Sequence, residues 1–174
     1  MDNVLPAAQA LLLTTAARWM NLVDKAPEAL LAARPAPGAW SALECLRHLL
    51  DTEAHVFPVR VRAFLVGEDI AGFEPDPEGR AFADLSPTAL AAEFARRRAE
   101  SLAMLEDVKA LDLARTAQHS ELGEVTLGQM LHQWAAHDLI HTMQAEAALA
   151  QPFIAGAGPW RPTYRDHDLQ SDVE

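Results

Sequence analysis

Four long segments with helical spacing, each opened or closed by its own signal, constrain this chain more than any other feature. Apolar residues recur every three or four positions in them, and no stretch shows a convincing strand pattern. Segments of this kind bury their apolar faces against one another, which makes the expected class all-α, a four-helix bundle with a long crossover connection. The first segment runs from about Leu5 to Asp24, with Leu12, Ala16, Trp19, Met20 and Val23 in register, and ends before Pro27. Three prolines and a glycine between Ala26 and Ala39 then allow at most one short turn, Glu28 to Ala33.

The second helix opens on a capping box, Ser41 with Glu44, and carries Leu43, Leu46, Leu50, Ala54 and Phe57 past an expected kink at Pro58 to about Val66. Residues Gly67 to Leu85 form the crossover loop, placed to cover one mouth of the bundle. Ser86-Pro87 caps a third helix that reaches about Lys109. Residues Asp112 to Val125 read as a loop or a short extended pair. Thr126 with Gln129 is a second capping box, and the fourth helix runs to about Ala150, where Pro152 is expected to stop it. The bundle domain thus spans 1–150. Residues 151–174 form an irregular segment, with Trp160 and Tyr164 expected to pin part of it to the body.

Composition narrows the function classes. A chain of 174 residues with 50% hydrophobic content supports one domain with a real core. Its 25 acidic and 14 basic residues give a net charge of −11, which repels nucleic acid and anionic membrane surfaces. Neither is an expected partner. No segment approaches a membrane span, and the single cysteine, Cys45, gives no sign of an oxidising compartment, so a cytoplasmic location is expected.

The chemistry lies in the histidines. His137 and His141 stand four apart, one turn on one helical face, where their imidazoles can converge on one ion, and His48 on the second helix can supply a third ligand. Seven histidines scattered at random would yield roughly 0.3 such pairs, so the spacing alone leaves ordinary core or solvent histidines open. Met130, Trp134, His137, His141 and Gln144 follow helical spacing, which sets both rings beside the apolar stripe. A di-iron carboxylate site needs Glu-x-x-His, which is absent. A zincin needs glutamate where Asp138 stands. Cys45, one turn before His48, reads first as a small core residue, with ligation or nucleophilic attack as the minor alternative. His55 and His132 are candidates for proton transfer or for supporting the ligands, and exposure is the commoner reading. His119 and His167 read as surface residues.

The string Pro37-Gly38-Ala39-Trp40-Ser41-Ala42-Leu43-Glu44-Cys45-Leu46-Arg47-His48-Leu49-Leu50-Asp51-Thr52-Glu53, followed by His137-Asp138-Leu139-Ile140-His141, resembles the DinB/YfiT-like superfamily of metalloenzymes over residues 1 to about 150. The resemblance implies a four-helix bundle of unusual connectivity. It also implies a divalent metal, nickel or zinc, held by His48, His137 and His141 with water completing the shell. Relatives that use mycothiol, bacillithiol or glutathione imply a low-molecular-weight thiol as cosubstrate, a small-molecule substrate, and a homodimer. The leading expectation is a metal-dependent thiol transferase, isomerase or hydrolase. The alternatives are a non-catalytic, metal-stabilised binding module and a bundle with unliganded histidines. The sequence shows no anion-binding cluster near the ligands, although Arg161 and Arg165 could fold back from the tail.

Overall fold

A computed structural model of the chain describes residues 4–74 and 82–170. Among the described residues six helices and one hairpin follow in order: α1 (Leu5–Lys25), α2 (Glu28–Ala32), α3 (Ala42–His55), α4 (Phe57–Val66), α5 (Pro87–Glu106), a 3-10 turn (Ala110–Ala114), β1 (Thr116–His119), β2 (Gly123–Thr126), α6 (Leu127–Ala155) and a second 3-10 segment (Gly158–His167). Both expected capping boxes form, Ser41 with Glu44 and Thr126 with Gln129, and Ser86 caps α5 with Pro87 in its first turn. The long helices make a four-helix bundle in which α1 and α3 each pack against both α5 and α6. Sequence neighbours α1 and α3 therefore sit diagonally, which the long connections on either side of α3 permit. No helix among the described residues is long and apolar enough to cross a membrane.

Pro58 does more than kink the second helix. It has no N–H to donate to the carbonyl four residues back and its ring crowds that carbonyl, so α3 ends at His55, Val56 leaves helical geometry at φ −118° and ψ −77°, and α4 starts afresh with Pro58 in its first turn. Gly67 closes α4 at φ 78°, a conformation that favours glycine. The crossover loop then lies against the hairpin: the Ile70 N–H donates to Gln118 O at 2.9 Å, and Ser120 N–H to Ile70 O at 3.2 Å. The rest of that loop, 75–81, lies outside the described residues. Between Asp112 and Val125 the extended alternative is the one found, with β1 and β2 antiparallel and Gly123 at φ 76° in the turn.

Two expectations at the C-terminal end are corrected. Pro152 does not stop α6, which continues to Ala155. In the last turn a proline removes only one helical hydrogen bond, and tertiary contacts outweigh that loss. Gln151 is buried, donates to Ala147 O and His167 O, and accepts from Leu169 N, while Ile154 is buried beside it. Nor do Trp160 and Tyr164 anchor the tail, for they are 70% and 45% exposed. Gln151 holds it from one side, and Gln170 Nε2 donates to Pro35 O at 3.1 Å from the other. Within the segment, Gly158–His167 form a 3-10 helix rather than irregular chain.

The core consists of two apolar clusters. One gathers Leu12, Phe57, Phe64, Leu105 and Trp134; the other gathers Trp19, Leu46, Leu50, Leu90 and Phe94. Between them lies a charged layer. Arg98 of α5, with a side chain 1% exposed, donates to Glu53 of α3 at 2.8 and 3.1 Å, to Asp138 of α6 at 2.7 Å and to Leu12 O of α1 at 2.9 Å. Burial works against the guanidinium's charge, but the Asp138 and Glu53 charges outweigh it and raise its pKa. The group also lies 4.8 Å from the Phe94 ring centre and 5.6 Å from that of Trp134.

Removing one member of a buried ion network strands the others, at a cost of about 3–5 kcal/mol. Arg98→Met is therefore expected to lower unfolding free energy in urea by that amount. The triple variant R98M/E53M/D138L, which replaces the whole layer with apolar volume, is expected to recover most of it. A loss below about 1 kcal/mol for Arg98→Met would show that the layer is not essential to the bundle.

Candidate metal centre

His48, His137 and His141 meet where α3 crosses α6. One ring nitrogen from each lies within 4.8 Å of the others, the three-residue group among the described residues able to hold a metal ion. The one-turn spacing on α6 aligns His137 and His141, with ring centres 4.5 Å apart, and α3 brings His48 to within 4.3 and 4.9 Å of them. His48 Nε2 and His137 Nε2 face each other at 2.9 Å. Burial, followed by repulsion from His141 and His137, pushes the His48 pKa down to about 3, against a smaller upward pull from Asp138. Burial and His137 likewise lower that of His141. Neutral rings with converging nitrogens are what a divalent cation requires.

The supports of each ring come from its own helix neighbourhood. Gln144 Oε1 lies 2.9 Å from His141 Nδ1, accepts its proton and so leaves Nε2 bare for ligation. Among the described residues His137 Nδ1 is buried without a hydrogen-bond partner, and an Asp138 carboxylate oxygen lies 3.8 Å away. Asp138 raises the pKa of both His48 and His141, so its negative charge stabilises positive charge at the cluster. Two aromatic walls confine the rings. Phe57 stacks on Trp134 and meets His137 edge-on at 5.0 Å. Trp40 lies 5.1 Å from His48 and 5.9 Å from His141. Trp40 sits just before the α3 cap, where Glu44 bonds Ser41 and also accepts from Arg34 at 3.0 and 3.1 Å. Burial raises Glu44, but the Arg34 and Ser41 hydrogen bonds outweigh it and hold its carboxyl below the usual range.

The remaining histidines and the cysteine fall elsewhere. Cys45 is fully buried in the second apolar cluster, and burial pushes its thiol up to about 12, so it stays a protonated core residue. His55 is exposed beside Asp51 and Phe82, and His132 and His167 are exposed. His119 is corrected: it is buried at 8% exposure on the inner face of β1 with Ala117. One apolar alanine in a four-residue strand is too little alternation to reveal that face in the sequence. Arg161 pairs with Asp168 and does not return to the site.

The three rings open onto a cavity of about 340 Å³. Thr52, Phe57 and Arg60 line it from α3 and α4, Gln133 from α6, Phe73 from the crossover loop, and His119 and Glu121 from the hairpin. Of the described crossover-loop residues, Phe73 reaches this cavity. Arg60 had no sequence signal, because its aim depends on the break at Val56.

Comparison with known proteins agrees with this fold. No curated protein matches the chain. Among solved structures, YfiT from Bacillus subtilis, described as "a probable metal-dependent hydrolase with an unusual four-helix bundle topology", shares the fold at a TM-score of 0.69. It is 17% identical, and the match covers 84% of this chain and 85% of that one. The family model of the DinB superfamily matches residues 11–145, a span that includes α3 and the whole His137–His141 pair. The chain belongs to the DinB superfamily.

Proposed function

We propose that this protein is a divalent-metal-dependent enzyme whose ion is held by His48, His137 and His141. The observation that carries the reading is three converging imidazoles on the wall of an open cavity. Structural zinc sites close four protein ligands around the ion, whereas catalytic ones keep a position for water or substrate. Three ligands beside a cavity fit the second kind better than a metal-stabilised binding module. Nickel and zinc both suit an all-imidazole donor set. The description of YfiT as a probable metal-dependent hydrolase supports the same class.

When bound, a divalent cation with three neutral ligands supplies a strong Lewis acid that lowers the pKa of a coordinated water or thiol. The chain's residues do the rest. Gln144 fixes the His141 tautomer, Asp138 places negative charge behind the rings, and Trp40 and Phe57 exclude bulk water from two sides. We assign the reaction to transfer of a low-molecular-weight thiol onto a small electrophile, with hydrolysis by bound water as the second reading.

Protein purified without added metal or a histidine tag is expected to carry one metal ion per chain by elemental analysis, and the H48A/H137A/H141A variant none; equal metal in both ends the proposal. A transfer screen with several low-molecular-weight thiols should give turnover with metal-loaded protein and none after chelation. Turnover of ester or amide substrates without thiol would instead favour the hydrolase reading.

Acid should destabilise the metal-free protein in a predictable window. His48 binds its proton near pH 6.5 when unfolded and near 3 when folded, so the unfolded state holds more protons between those values. The contribution is complete above about pH 6.5 and is lost as pH falls toward 3. Urea titrations of metal-free protein at pH 7 and pH 4.5 are expected to show that loss, and His48→Gln to reduce it.

A further inference from the structure

The cavity in front of the histidines has a second polar wall. Arg60 of α4 and His119 of β1 both line it, opposite no metal-ligating function of their own. Arg60 Nη2 donates to Ala71 O at 2.9 Å and lies 3.3 Å from His119 Nε2. That second contact is not a hydrogen bond. His119 Nδ1 accepts the backbone N–H of Glu121 at 3.1 Å, which leaves the ring proton on Nε2. Two donors therefore face each other, one on the buried His119 ring and one on the partly exposed Arg60, and among the described residues no hydrogen bond is made between them to an acceptor both share, an arrangement that an anionic oxygen would satisfy.

We propose that Arg60 and His119 form the subsite for a carboxylate on the small-molecule substrate. An anionic oxygen between the two donors satisfies both, and a guanidinium with a neighbouring N–H is a geometry suited to a planar carboxylate. The cavity is sized for a small molecule, and its other wall holds the three imidazoles, so a ligand anchored at Arg60 presents its remaining atoms toward them. The positive charge is local to a chain of net charge −11, which makes the cavity selective rather than the surface attractive. Glu121 is the carboxylate whose charge acts on Arg60, and it sets the affinity by competing for that charge. That the anchored molecule then reacts at the histidine cluster rests on the function proposed above; the anion binding itself does not.

The test is an NMR titration of the His119 ring and Arg60 guanidinium signals, in metal-free and zinc-loaded protein, with propionate, propionamide and inorganic phosphate. Propionate is expected to shift both sets of signals saturably in both forms, with propionamide shifting neither and phosphate binding more weakly than propionate. Arg60→Gln should weaken propionate binding at least about tenfold, Arg60→Lys should keep part of it, and Glu121→Gln should tighten it. The subsite is disproved if propionate leaves the wild-type signals unmoved, if phosphate binds more tightly than propionate, or if Arg60→Gln binds propionate like the wild type. The contrast between propionate and its amide is read on wild-type protein and does not depend on any variant folding. Failure to retain zinc would sink the metal reading, while the metal-free titration would still decide this one.

Discussion

The buried guanidinium of Arg98 is the interaction on which the rest of the structure depends. It is the point where all four bundle helices meet, through Glu53 of α3, Asp138 of α6 and the Leu12 carbonyl of α1. Apolar clusters lie on either side, and neither alone dictates how far one helix slides along its neighbour, because apolar packing is non-directional. A charged layer with hydrogen bonds of fixed direction does dictate it. A buried ion pair is weak evidence of net stabilisation, but a mismatched one is costly, so the layer selects one register among several that would bury the same area.

The histidine cluster inherits that register. Asp138 precedes Leu139 and follows His137, so the carboxylate clamped by Arg98 fixes the rotation of α6 that turns His137 and His141 toward α3. It also leaves a negative charge within electrostatic reach of the rings, as the upward pull of Asp138 on His48 and His141 records. In the zincin pattern, the position after the first histidine carries a catalytic glutamate. Here the same position faces the core and serves the bundle. The break at Val56 has a comparable double consequence, since it ends α3 below His48 and starts α4 at the angle that brings Arg60 to the cavity.

Much of this is legible in the amino-acid sequence. Ser41-Glu44 and Thr126-Gln129 mark helix starts because a capping box is a local exchange of hydrogen bonds that needs no partner from elsewhere. The His137–His141 pair was legible for the same reason, as four residues make one turn wherever the helix lies. What misled were local rules that tertiary contacts override. Pro152 reads as a stop, yet buried Gln151 and Ile154 carry α6 past it. Trp160 reads as an anchor by its size, yet it lies in solvent while Gln170 holds the tail. Arg98 could have been suspected, since it falls four residues after Phe94 and seven before Leu105 on the apolar stripe of α5.

By itself, the sequence determined the helical elements, their caps and the residues able to bind a metal, because each depends on interactions within a turn or two of chain. Only the tertiary structure decided which helices are neighbours, that His48 meets the α6 pair, and that Arg60 lies against His119 on the wall of the same cavity. Those relations join residues 59 to 89 positions apart. Nothing in local propensity reaches that far. They follow from burying two apolar clusters around one guanidinium whose hydrogen bonds admit a single arrangement of the four helices.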